Sequence, residues 1–190
     1  MGRDRPVTLY ISAAADLTVE RDAVARMIAE LPVTLTWRIV QTPANAEPLD
    51  REAVQAADLH FLVMGADIRA PVGLEWAIAC RAGRPSVAFL KHDVVRTPAG
   101  QVFINQAGLT WRRVTDAADL SRQVQRVLAE HLLRHAIRYA LTPVEVEKLE
   151  ALRAADAEAT EKPAEGKGAD RSAVILSRER FVPSEGVTID

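Results

Sequence analysis

Val7-Thr8-Leu9-Tyr10-Ile11-Ser12 runs into the small-residue turn Ala13-Ala14-Ala15-Asp16, and that turn into Leu17-Thr18-Val19-Glu20-Arg21. The first six residues are apolar enough for a strand buried on both faces, as in a parallel sheet. From Leu17 onward, Val24, Met27, Ile28 and Leu31 recur at helical spacing, and Pro32 ends the run. Asp16 is placed to cap this helix by accepting a backbone N–H. Strand, tight turn and helix form the opening unit of an α/β domain.

The same alternation continues. Val33–Val40 reads as a second strand and Gln41–Leu49, with two prolines, as a loop. Asp50 caps a short helix reaching Ala57. Leu59–Met64 is a third strand ending at Gly65. Pro71 starts a helix that runs to about Ala82 and stops at Gly83. Ser86–Leu90 is a fourth strand, Lys91–Gly100 a loop, and Thr110–Val114 a short fifth strand. A helix is expected over about Ala117–Ala140, with Leu120, Val124, Val127 and Leu128 in register. Thr142-Pro143-Val144-Glu145 is a capping box that opens another, to about Ala157.

Five strands separated by helices predict an open parallel sheet of flavodoxin-like order, 2-1-3-4-5, built with right-handed crossovers. Its ligand crevice lies where the order reverses, beyond the carboxyl ends of the first and third strands. Ser12, Asp16, Gly65 and Asp67 converge there. The domain plan is 1–115 for the α/β unit and 116–157 for helices packing on or extending it. A linker at 158–170 and an extended tail at 171–190 complete the chain.

Bulk properties narrow the function. With 48% hydrophobic residues in 190, the chain can bury a real core. A net charge of −2, with basic and acidic residues interleaved, gives no electrostatic reason to expect nucleic acid. Neither a signal peptide nor an apolar run of membrane-spanning length is present, so a cytoplasmic protein without a membrane partner is expected. The lone Cys80 excludes an internal disulfide and a Cys-based zinc site, and reads as a small buried hydrophobe. His131 and His135 share a helical face but lack a third ligand, so no metal is expected. His60, inside an apolar strand, reads as a core histidine.

LYISAAADLTVERDAV (Leu9–Val24) resembles the opening of TIR-like domains related to nucleoside 2-deoxyribosyltransferases. The matching residues are Ile11, Ser12, Asp16, Leu17, Glu20 and Arg21. The likeness continues through Ala57-Asp58-Leu59, Gly65, Glu75-Trp76, Ala79 and Gly83-Arg84-Pro85. It covers roughly residues 7 to 91. The resemblance implies a site for NAD or another nucleotide, with Glu75 as the carboxylate that works at the anomeric carbon of a ribose or deoxyribose. A carboxylate suits that chemistry because positive charge develops on the sugar as the base departs. Ser12, Asp16, Arg21, Gly65, Asp67 and Arg69 are the candidate ligand-binding residues, Arg21 and Arg69 as phosphate contacts. The bland alternatives are a Glu favoured by the helix dipole, an Asp cap and solvated arginines.

The chain departs from this family pattern where Ala13 and Ala14 replace a Ser and a Thr. That favours a non-catalytic, nucleotide-sensing or assembly module over its alternative, an N-glycosidase or ribosyltransferase; the resemblance implies a signalling or defence context for either. The apolar tail residues Ala173–Leu176 and Phe181–Ile189, after a charged linker, suit an arm that adds to a sheet edge. A homo-oligomer or a protein partner, contacted through the C-terminal helices and residues 172–190, is therefore expected.

Overall fold

A computed structural model describes residues 5–43 and 47–161. The tail 171–190 and most of the expected linker lie outside them. The strands are β1 (Val7–Ala13), β2 (Trp37–Gln41), β3 (Leu59–Met64), β4 (Ser86–Lys91) and β5 (Trp111–Val114). All pair in parallel, in the order β2-β1-β3-β4-β5, as the sequence predicts. The helices are α1 (Thr18–Ala29), α2 (Arg51–Ala56), α3 (Ala70–Arg81), α4 (Pro98–Gln106), α5 (Ala117–Arg134) and α6 (Pro143–Glu161). No helix among the described residues is long and apolar enough to cross a membrane.

Every residue of β1 and β3 is buried, because helices cover both faces of the sheet at its centre. The two faces differ in chemistry. Leu9, Ile11, Ala13, Phe61, Val63 and Phe89 form a wholly apolar face against α1 and α5, with Phe61 and Phe89 edge-on at 5.6 Å. Side chains alternate across a strand, so Thr8, Tyr10, Ser12 and His60 fall on the other face. There α2 and α3 supply Ala53, Val54, Ile78 and Ala79. This second face buries the polar groups that define the site.

Several boundaries differ from expectation for local reasons. β2 starts at Trp37 rather than Val33, because the Thr34 N–H donates to Glu145 Oε1 (2.8 Å) instead of joining a ladder. α5 ends at Arg134, and the chain turns before α6. Leu120, Val124, Val127 and Leu128 belong to the main core, so α5 is part of the covering of the sheet. α4 occupies residues for which a loop was expected up to Gly100. Its Thr97 cap accepts from Gly100 N–H at 3.1 Å, and Pro98 opens the first turn. Cys80 is exposed on α3 rather than buried.

The predicted capping box forms. Glu145 accepts from Thr142 N–H (2.7 Å) and Thr142 Oγ1 (2.8 Å), and Thr142 Oγ1 accepts from Glu145 N–H (3.3 Å). The same carboxylate also takes the Thr34 N–H and hydroxyl, pinning α6 to the segment before β2. Those donors hold its pKa down at about 2. Glu145→Ala removes both the cap and this tether. We expect a loss of about 2 kcal/mol in urea unfolding. A loss no larger than that of an exposed α6 substitution would show that the tether contributes nothing.

A closed polar network at the candidate site

Glu75 lies on α3 one turn beyond Pro71, on the buried side of the helix, and its side chain is fully enclosed (0% exposed). Both carboxylate oxygens are engaged. Tyr10 Oη donates to Oε1 at 2.8 Å, and Thr42 Oγ1 donates to Oε2 at 2.6 Å. Thr42 is itself held five ways just past the end of β2, one of them a long 3.5 Å contact from its Oγ1 to Ile11 C=O. Its N–H donates to Ile11 C=O (3.0 Å), its Oγ1 accepts from Ala13 N–H (3.0 Å), and its C=O accepts from Arg21 Nη2 (3.1 Å). The fifth contact is the carboxylate. Glu75 thus ties α3 to the middle of β1 and to the residue just past β2.

Burial pushes the Glu75 carboxyl above the usual carboxylate range. Hydrogen bonding from Ser12, Thr42 and Tyr10 and the charge of Arg21 oppose that push without overcoming it. The Tyr10 phenol is driven up by burial and by the neighbouring Glu75 charge. Next along the sheet, Ser12 Oγ lies 2.9 Å from His60 Nε2, and Ser86 Oγ lies 3.1 Å from His60 Nδ1. Ser86 donates to Arg84 C=O (3.2 Å), so it accepts the proton of Nδ1. Nε2 and the Glu75 carboxylate are then both acceptors that share the single Ser12 hydroxyl proton. This tautomer suits a ring whose pKa burial lowers to about 4. The polar series Ser86–His60–Ser12–Glu75–Tyr10/Thr42 is internally satisfied, as a buried network must be to avoid a desolvation cost.

The remaining candidates divide. Asp16 and Gly65 do meet: a Cβ placed on Gly65 would sit 3.3 Å from Asp16 Oδ2 and 3.2 Å from Leu17 Cδ2. Glycine there lets the turn after β1 approach the turn after β3. Asp16 is not the helix cap. The chain enters α1 through a 3₁₀ turn at Ala15–Leu17, closed by Leu17 N–H to Ala14 C=O (3.0 Å), and no side chain caps α1. That leaves Asp16 exposed on the crevice rim.

Arg21 is a strut rather than a free cation. Its Nε and Nη2 donate to Gln41 Oε1 at 3.0 and 2.7 Å. Asp67 turns away, accepting from Thr97 Oγ1 (2.5 Å) and Ile68 N–H (2.8 Å), which docks α4 on the loop after β3. Arg69 is exposed at the start of α3. The structure therefore brings together Ser12 and Glu75 below, and Asp16 and Gly65 above. Asp67 and Arg69 stand apart.

Tyr10, Thr42 and His60 are the site residues that sequence reading missed. The signals for Tyr10 and His60 lie in the alternation Thr8, Tyr10, Ser12 along β1 and in the His interrupting β3; Thr42, in the expected loop after the second strand, had none. His131, in contrast, is taken up structurally, with Nε2 2.9 Å from Tyr139 Oη and its ring 4.8 Å from that of His135.

No family model and no curated protein sequence matches the chain. Among solved structures, it is similar to a heterodimer of the RPS4 and RRS1 TIR domains, with 12% identity and a TM-score of 0.48. That likeness covers 65% of this chain and 96% of the other. It is also similar to the Clostridium botulinum CMP N-glycosidase BcmB, with 13% identity and a TM-score of 0.41, over 61% of this chain and 95% of the enzyme.

Proposed function

We propose that this chain is a non-catalytic sensing or assembly module in which Glu75 is a structural tether. The observation that carries the reading is the closure of Glu75: no exposure, and a hydroxyl donor on each oxygen. A carboxylate that is to meet an anomeric carbon must reach substrate. This one reaches Tyr10 and Thr42. Ala13 and Ala14 are buried and bring no hydroxyl to the turn that borders the crevice.

Contact with a protein partner or a second copy is part of this reading. Val19, Leu74 and Val102, in the first turns of α1, α3 and α4, and Val95, in the loop after β4, are all exposed. In a parallel sheet with helical crossovers, these positions share the carboxyl edge. Apolar side chains gathered at one edge support an interaction surface. The C-terminal helices and residues 172–190 remain the proposed arm, and the latter lie outside the described residues.

The alternative is N-glycosidase or ribosyltransferase chemistry on NAD or a nucleoside. One observation favours it: a carboxyl with a raised pKa is the kind that donates a proton to a leaving base. Incubation with NAD, nucleosides and nucleoside monophosphates, with chromatography for released base, separates the two. We expect wild type and Glu75→Gln to be equally inert. Base release by wild type that Glu75→Gln abolishes would overturn the non-catalytic reading.

A further inference from the structure

A cavity of about 400 Å³ opens at the carboxyl ends of β4 and β5, within the size range of small-molecule sites. Its polar lining is Lys91, His92, Asp93, Arg96 and Arg113. The charges there do not cancel. Lys91 is neutralised from outside the cavity by the buried Glu20 of α1, with Nζ to Oε1 at 2.5 Å. Asp93 is the one carboxylate in the lining; it lies 2.6 Å from His92 Nδ1, and its side chain is 87% exposed. Arg96 and Arg113 have no ion-pair partner among the described residues.

Arg96 is half-buried. It donates from Nη2 to Lys91 C=O, also at 2.5 Å, while its Nε–H is buried without a hydrogen-bond partner among the described residues. Such a donor is costly to leave unmet. The loop is also shaped. Asp93 holds a left-handed backbone (φ 51°), an uncommon state for a non-glycine residue. His92 N–H, donating to Val114 C=O at 2.6 Å, fastens the loop to β5.

We propose that this cavity is an anion site that takes the phosphate of a small phosphorylated metabolite, held by Arg96 and Arg113. Two guanidiniums lining one cavity match the spread charge and several acceptor oxygens of a phosphate better than the two oxygens of one carboxylate. The volume left over accommodates a sugar-sized remainder. The cavity lies on the carboxyl edge of the sheet, away from the switch point between β1 and β3. The site is separate from Glu75 and stands whether or not Glu75 does chemistry.

Ribose 5-phosphate, inorganic pyrophosphate and unphosphorylated ribose, titrated calorimetrically into the full chain at matched ionic strength, test this. Arg113 is exposed and its side chain bonds nothing among the described residues, so Arg113→Gln is expected to fold. We expect saturable binding of both phosphorylated probes, none of ribose, and affinity weaker by about ten-fold or more in Arg113→Gln. The melting temperature of the variant should stay within about 1 °C of wild type. Arg113→Lys should recover part of the loss. No saturable binding up to about 10 mM, or equal affinities in wild type and Arg113→Gln, overturns the proposal.

Discussion

Glu75→Ala is expected to lower the stability of the domain by about 2–3 kcal/mol at neutral pH, a fall of several degrees in melting temperature for a chain of this size. The substitution leaves the buried Tyr10 hydroxyl without its acceptor and the Thr42 hydroxyl with only the long 3.5 Å contact to Ile11 C=O. It also removes the link from α3 to the middle of β1 and to the residue just past β2. Glu75→Gln keeps an acceptor oxygen and should stay within about 1 kcal/mol of wild type. The pair also reports on ionisation. A carboxyl whose folded pKa is raised contributes fully below the unfolded value of 4.5 and loses that contribution as pH rises through the folded value. Wild type should therefore lose ground to Glu75→Gln as pH climbs above 4.5. Urea titrations at several pH values check this. A Glu75→Ala protein that unfolds like wild type would show that the carboxylate is not a tether, and would return it to the crevice as a catalytic candidate.

This prediction was not available from the sequence, and the reason is physical. The strand order followed from periodicity and punctuation: buried runs at β1 and β3, Pro71 and Gly83 around α3, and Asp50 at α2, whose side chain does accept from Ala53 N–H (2.9 Å). Those signals are local. Whether Glu75 faces an open cleft depends on Tyr10 and Thr42, which are 65 and 33 residues away and meet it only through the fold.

α4 was missed for a different reason. Thr97-Pro98 is the same opening signal as Thr142-Pro143, but Gly100 two residues later reads as a breaker. The structure needs glycine there, because a Cβ at residue 100 would lie 2.9 Å from Ala66 C=O. A glycine selected for close approach looks, in sequence, like one selected for a turn. Asp16 misled in the opposite sense. It has the chemistry of a cap, but Ala14 C=O closes the turn ahead of it.

Acid should destabilise this protein well before its ordinary carboxylates titrate, because two histidines are buried neutral. His60 is lowered to about 4 by burial. His131 is also lowered to about 4, by burial first and then by the positive charges of His135, Arg138 and Arg134, with Asp58 opposing. In the unfolded chain both take up a proton near pH 6.5, while the folded state resists until about 4. Stability is thus fully present above 6.5 and is lost as pH falls through that window. Each histidine contributes a slope of up to about 1.4 kcal/mol per pH unit. Glu75 works against this trend, since its raised pKa adds stability as pH falls toward 4.5. Glu145, held at about 2, yields only at lower pH. The measurement is therefore cleanest in Glu75→Gln, where the opposing group is gone. Adding His131→Gln, which can still bond Tyr139 Oη, should cut the slope between pH 6.5 and 4.5 by about half. Adding His60→Gln should remove most of the rest. If the slope is unchanged by either substitution, these histidines are protonated in the folded state. In that case the tautomer that orders Ser12, His60 and Ser86 is not the one the protein uses.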